Sequence, residues 1–160
     1  AGYFALKRRK SKKKLFQAFL EPVPRLMEGR LLAKRRSVTS SMDISDGLSA
    51  SLYQLQEINN VGFEIKKNAL PLASELCSLI VKSHDVDPYS VALHFGGDYE
   101  LLVTMSVEAI EKAQKMLRKH GADLTVIGTV TKKKNIVLLD GESKRILENK
   151  GYEHFKKHHF

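Results

Sequence analysis

The chain has 160 residues, 42% of them hydrophobic and 28% charged, with a formal net charge of +9 at pH 7. That length supports one domain with a real core, and no uninterrupted apolar run approaches the ~20 residues a membrane span needs. The charge excess belongs to the ends: Lys7, Arg8, Arg9, Lys10, Lys12, Lys13, Lys14, Lys156 and Lys157 account for it, and the body between them is balanced. The single Cys77 excludes an intrachain disulfide and fits a cytoplasmic protein. In its helically spaced surroundings the thiol reads as a small buried hydrophobe. Ala1 to Leu6 is too short for a secretory signal, and the chain reads as a piece of a longer protein.

Residues 1–14 form a solvated basic lead-in, followed by a short helical segment over 15–20 that Pro22 and Pro24 stop. Pro24 stands near the first turn of the next helix, over 25–34, whose apolar positions are Leu26, Met27, Leu31 and Leu32. Ser37 to Met42 is short and uncharged and predicts a strand. Leu48, Leu52, Leu55 and Ile58 recur at helical spacing, which predicts a helix over about 46–59 ended by Asn59-Asn60. Val61 to Ile65 alternates as a strand does, and Lys66-Lys67-Asn68 turns the chain. Leu70-Pro71 introduces a helix around Cys77 that ends near Ser83, and Asp87-Pro88 opens a shorter one through Leu93, broken by Gly96-Gly97.

Tyr99 to Met105 predicts the next strand, and its continuous Leu101, Leu102 and Val103 suggest burial on both faces. From Val107 to His120, Ile110, Ala113, Met116 and Leu117 lie on one stripe of a helix that Gly121 stops. Leu124 to Val130 and Asn135 to Leu139 read as two strands paired across an exposed Lys132-Lys133-Lys134 hairpin loop. Strands alternating with helices give an α/β (α+β layered) domain, a mixed β-sheet packed with helices.

The chemistry concentrates in Met42-Asp43-Ile44-Ser45-Asp46-Gly47-Leu48, where an extended run becomes a helix. Two readings stand side by side. Ser45 or Asp46 can cap the helix by accepting a hydrogen bond from its first free N–H groups. Alternatively, Asp43 and Asp46 can hold a hydrated magnesium ion, which prefers a few carboxylates plus water and phosphate oxygens to a full protein cage. His84, His120, His158 and His159 have no partner at metal-ligand spacing.

The second motif is Gly96-Gly97-Asp98-Tyr99-Glu100-Leu101-Leu102. With it, and with Phe4-Ala5-Leu6, Pro22-Val23-Pro24-Arg25-Leu26, Leu70-Pro71, Ile127-Gly128 and Gly151-Tyr152-Glu153-His154-Phe155 in the same order, the chain resembles the carboxyl-terminal domain of the thiamine monophosphate kinase family. That family lies in the aminoimidazole ribonucleotide synthetase superfamily. The resemblance implies ATP- and magnesium-dependent phosphorylation of thiamine monophosphate to thiamine diphosphate, with Asp43 and Asp46 as metal ligands and Ser45 as an ATP contact. It further implies Asp98 and Tyr152 as substrate contacts, Tyr152 stacking on the flat, cationic thiamine rings.

The resemblance divides the chain into an interdomain lead-in and short helix over 1–21, the carboxyl-terminal domain over 22–155 and a basic tail over 156–160. An amino-terminal domain bearing the dimer contact and much of the ATP site would lie outside it. The full-length enzyme would be a homodimer, and the isolated domain inactive. The acceptor is an anionic phosphate oxygen, so no general base is demanded and neither His94 nor His154 need be catalytic. One departure stands out: the family commonly shows Gly-Gly-Glu-Asp-Tyr-Glu, whereas here Gly97 directly precedes Asp98.

Two alternatives remain open. One is another ATP-dependent synthetase of the same superfamily, serving purine synthesis or selenophosphate formation, against which the Asp-Tyr-Glu run and Gly151 to Phe155 argue. The other is a nucleic-acid-binding module using the basic arm, for which phosphate binding would be salt-sensitive. The balanced body, and an arm whose aromatics Tyr3 and Phe4 both precede its basic run, argue against it.

Overall fold

The structure, a computed structural model, describes residues 17, 20–34, 37–74, 77 and 87–152. The basic lead-in, the basic tail and most of the helices expected over 15–20 and 70–83 lie outside the described residues, although Gln17, Leu20, Ser74 and Cys77 are helical. Cys77 is half-buried rather than fully enclosed.

The described elements run α1 (Leu26–Ala33), β1 (Val38–Asp43), α2 (Leu48–Asn59), β2 (Gly62–Lys66), a 3-10 turn (Lys67–Ala69), α3 (Pro88–His94), β3 (Leu101–Met105), α4 (Val107–Arg118), β4 (Gly128–Thr131), β5 (Ile136–Asp140) and β6 (Ser143–Ile146). Local chemistry explains several boundaries. Asp87 caps α3, its carboxylate accepting from the Tyr89 and Ser90 N–H groups, with Pro88 in the first turn. Asn60 closes α2 in the left-handed conformation.

The strands form an antiparallel ribbon, β1 with β3, and a mixed four-stranded sheet in the order β4-β2-β5-β6. In the ribbon Asp43 lies opposite Leu101 and Ser41 opposite Val103, with an irregularity between Val38 and Ser40. That irregularity brings the Thr39 and Ser40 hydroxyls both onto Thr104, at 2.6 and 2.7 Å. In the sheet β2 runs antiparallel to β4 and parallel to β5.

Leu48, Leu52 and Leu55 of α2 and Leu93 of α3 bury themselves against Phe63, Ile65, Ile136 and Leu138 of the sheet. A second cluster joins Leu32 of α1 to Ala113 and Leu117 of α4, over Val38, Val103 and Met105 of the ribbon. Of the helical stripe read from Ile110 to Leu117, Ala113, Met116 and Leu117 make this contact.

Three expectations are corrected. The strand expected from Leu124 is ordered as a strand only from Gly128, and it does not pair with β5. Instead β2 lies between them, and the Lys132–Lys134 loop passes over the end of β2. A Cβ at Gly62 would strike the Lys133 carbonyl, and Phe63 N–H donates to the Asn135 carbonyl at 3.0 Å. A central strand offers each neighbour a full ladder and a buried face, which a hairpin of β4 and β5 alone could not. The true hairpin is β5–β6, turning through Gly141 and Glu142 with Gly141 at φ +60°. Finally, β3 is half-buried along its length rather than enclosed on both faces, because its ribbon has two strands.

Leu138 is 0% exposed in the sheet's main cluster, whereas Ile146 on the neighbouring strand is 57% exposed. Leu138→Ala should cost about 2–5 kcal/mol in urea unfolding, and Ile146→Ala no more than about 0.5 kcal/mol.

Candidate functional site

Asp43 is the last residue of β1, and Leu48 the first of α2; the four residues between them carry the motif. The capping reading fails here. The helix starts two residues later than expected, Gly47 takes the cap position, and no side chain accepts from the first turn. Gly47 sits at φ +96°, and a Cβ there would lie 2.9 Å from the His94 carbonyl, so both its conformation and its surroundings require glycine.

Every carbonyl from Asp43 to Gly47 has a donor. Ser51 Oγ donates to the Asp43 carbonyl at 3.0 Å and to that of Gly47 at 3.2 Å. Gly47 N–H donates to the Ile44 carbonyl at 2.9 Å, Gly97 N–H to Ser45 at 2.8 Å, and Tyr152 N–H to Asp46 at 2.9 Å. Ile44 N–H in turn donates to the Glu100 carbonyl at 3.2 Å. The backbone thus brings together the three segments that hold all five sequence-derived site residues: Asp43, Ser45 and Asp46 on the loop, Asp98 in the run entering β3, and Tyr152 beyond β6.

The side chains of the loop are polar and reach solvent to different degrees. Asp43 is exposed at the strand end, and Asp46 and Ser45 are half-buried. Ser45 holds the Asp43 carboxyl below the ordinary carboxylate range, chiefly through its hydroxyl, with its N–H also on Asp43 Oδ2 at 3.3 Å. Asp98 keeps solvent contact as a residue, yet the chain crowded around its carboxyl raises its pKa. Tyr152 is 55% exposed.

Among the described residues no group of three or more His, Cys, Asp or Glu side chains converges as a metal cage. Two carboxylates and a hydroxyl on one short loop are a partial donor set, of the kind that suits a cation completing its shell with water and phosphate oxygens, as magnesium does.

Several supporting residues had no role assigned from the sequence. Glu100 is gripped by Arg25, whose Nε and Nη2 donate to its two carboxylate oxygens at 2.8 and 2.7 Å. Glu28 also pairs with Arg25, at 3.3 Å. Both Arg25 and Glu100 stand inside the motifs that carried the resemblance, but opposite charges 75 residues apart do not announce a pair. Ser49 and Ser51, 0% and 2% exposed, sit in the first turn of α2. Ser49 Oγ lies 2.9 Å from His94 Nδ1. Burial pushes the His94 pKa below its usual 6.5, with Lys150 and Arg145 adding to the shift and Glu148 opposing it.

A family model described as "AIR synthase related protein, C-terminal domain" matches residues 3–141. Among curated proteins, the thiamine-monophosphate kinase of Buchnera aphidicola subsp. Schizaphis graminum is 32% identical over 143 residues, covering 88% of this chain and 42% of the relative. That of Bacillus subtilis is 34% identical over 139 residues, covering 84% of this chain and 40% of the relative. Among solved structures, AaThiL complexed with AMPPCP and TMP superposes with TM-score 0.77 at 31% identity, over 96% of this chain and 47% of that one. Thiamine monophosphate kinase from Aquifex aeolicus gives TM-score 0.71 at 32% identity, over 88% and 45%. The hydrogenase maturation protein HypE of E. coli shares the fold, with TM-score 0.68 at 22% identity, over 84% and 44%. The chain spans less than half the length of these relatives.

His94 generates a pH dependence with a definite sign. Its folded-state pKa is lowered, so the unfolded chain binds the proton first, and the stability His94 confers is present above 6.5 and is lost as pH falls through the lowered folded value. Thermal unfolding from about pH 7 to about pH 5.5 should show the parent losing more melting temperature than His94→Gln.

Proposed function

The chain belongs to the AIR synthase related protein family as its C-terminal domain, and from that membership we propose that it is the carboxyl-terminal domain of an ATP- and magnesium-dependent kinase converting thiamine monophosphate to thiamine diphosphate. One observation carries the reading. The Asp43–Gly47 loop is clasped by peptide groups of Gly97, Glu100 and Tyr152, so segments scattered over the chain meet at the acidic loop, which supports a phosphate-handling site there. Kinship with kinases 32% and 34% identical supports the choice of reaction.

Phosphoryl transfer asks little covalent chemistry of a protein and much positioning and charge compensation. Asp43 and Asp46 offer the carboxylates for the cation, and Ser45 offers a hydroxyl to ATP. Magnesium held there would draw donor and acceptor phosphates together and offset the charge they share. Asp43, whose pKa the Ser45 hydroxyl lowers further below the ordinary carboxylate range, is an anion at neutral pH, as that role needs. Tyr152 presents an exposed ring on which a flat cationic heterocycle can stack, and Asp98, next to Gly97 in the run that meets the loop, is the second substrate contact in this reading. The acceptor is already an anion, so His94 acts in support of the loop rather than as a base.

In this reading the carboxyl-terminal domain occupies residues 22–155, with the basic segments 1–21 and 156–160 at its ends. A further, amino-terminal domain carries much of the ATP site and the contact of a homodimer, and the protein works in the cytoplasm. Among the described residues no helix is long and apolar enough to cross a membrane.

The full-length protein, assayed by phosphorus NMR with ATP, magnesium and thiamine monophosphate, should form thiamine diphosphate. Asp43→Ala and Asp46→Ala should each lower kcat/KM by ~100-fold. The 160-residue chain alone should show little or no turnover. Failure of the full-length protein to make thiamine diphosphate would overturn the assignment.

A further inference from the structure

Beyond β6 the chain is anchored at Leu147, whose N–H donates to the Ile136 carbonyl at 2.9 Å and whose carbonyl accepts from the Tyr53 hydroxyl at 2.8 Å. From there residues 148–152 run as a strap without helix or strand, exposed except at the half-buried Gly151, and return to the acidic loop. The return is close. A Cβ on Gly151 would collide with the Ala50 side chain and lie 2.7 Å from the Asp46 carbonyl. Immediately after it, Tyr152 N–H reaches that same carbonyl.

The other carbonyls of the loop take their donors from the loop itself, from α2 or from the run before β3; among the described residues only the Asp46 carbonyl depends on the strap. We infer that Gly151 is a positioning residue of the site: the absence of a side chain there lets the strap close on α2, so that the Tyr152 peptide fixes Asp46. The inference rests on the reading of Asp43 and Asp46 as cation ligands. It makes the strap a mechanical link between two jobs. An aromatic contact made at Tyr152 bears on the peptide that holds Asp46, so occupancy of one half of the site orders the other.

The link differs from ordinary packing in a way that can be measured. A residue needed only for stability would shift the melting temperature and leave the loop's local geometry alone. A residue that positions Asp46 changes the loop while the rest of the fold persists. Support of a ligand by a neighbouring group typically changes metal affinity by about 10–100-fold.

The experiment uses the 160-residue chain labelled with nitrogen-15, followed by amide spectra, amide exchange and magnesium titration. For Gly151→Ala we expect a dispersed spectrum in which the Asp46, Gly47 and Tyr152 amides shift, the Tyr152 amide loses exchange protection, and magnesium affinity at the loop falls by about tenfold. Leu117→Ala, which opens the separate cluster between α4 and the ribbon, should lower the melting temperature and leave all three readouts unchanged. Should Gly151→Ala fail to fold, Tyr152→Ala and Tyr152→Pro give the same comparison. Both lose the ring, and only proline loses the N–H. The proline variant alone should then shift the Asp46 amide.

Unchanged Asp46 and Gly47 amides in Gly151→Ala, or equal changes in Leu117→Ala, would overturn the inference, as would identical Asp46 shifts in the two Tyr152 variants. If the full-length protein, titrated with magnesium and a non-hydrolysable ATP analogue, shows no response at Asp43 and Asp46, the cation reading itself falls. The amide shifts and exchange then still decide whether the strap positions Asp46.

Discussion

The site depends on a clasp made of peptide groups. A loop that links a strand to a helix leaves carbonyls without partners, and a loop that must present carboxylates cannot spend its own side chains on satisfying them. Here the burden falls elsewhere. Ser51, Gly97 and Tyr152 supply donors to Asp43, Ser45, Asp46 and Gly47, while Glu100 takes the Ile44 N–H. Each such hydrogen bond contributes only about 1 kcal/mol net. Together they leave the loop few alternatives, which is what a site relying on position requires.

Glycine is the condition of this arrangement. Gly47 accepts a positive φ against the His94 carbonyl, and Gly151 accepts contact with α2 where no side chain fits. Around them the charged groups are arranged for order. Arg25 holds the Glu100 carboxylate by two hydrogen bonds, so Glu100 serves the clasp through its carbonyl while its charge is engaged by the residue that precedes α1. Such a paired acid is poorly suited to replace the glutamate that the family motif would place before Asp98.

The two hydrophobic clusters explain why the loop lies where it does. Met42 and Ile44 pack on the cluster between α2 and the four-stranded sheet, while Val38, at the other end of β1, packs on the cluster between α1 and α4. The strand therefore spans both halves of the core. Its last residue, Asp43, emerges with its carboxylate outside either cluster, where solvent and phosphate can reach it.

What the sequence determined by itself was local. Period and punctuation marked α1, β1, α2, β2, α3 and α4 because each carries its signal within a few turns: apolar spacing, Asp87-Pro88, Asn60, Gly121. The acidic loop was legible for the same reason, its residues being neighbours in the chain. Tertiary structure decided what depends on residues far apart. Insertion of β2 between β4 and β5 turned an expected hairpin into a mixed sheet, because the central place is worth more than a local turn. The Asp-Gly signal of the β5–β6 hairpin does stand in the sequence, at Asp140-Gly141. The choice between a helix cap and a clasped, outward-facing acidic loop could not be read locally either. The groups that settle it, Gly97, Glu100 and Tyr152, come from distant parts of the chain, and only folding brings their peptide donors and acceptors within hydrogen-bonding reach.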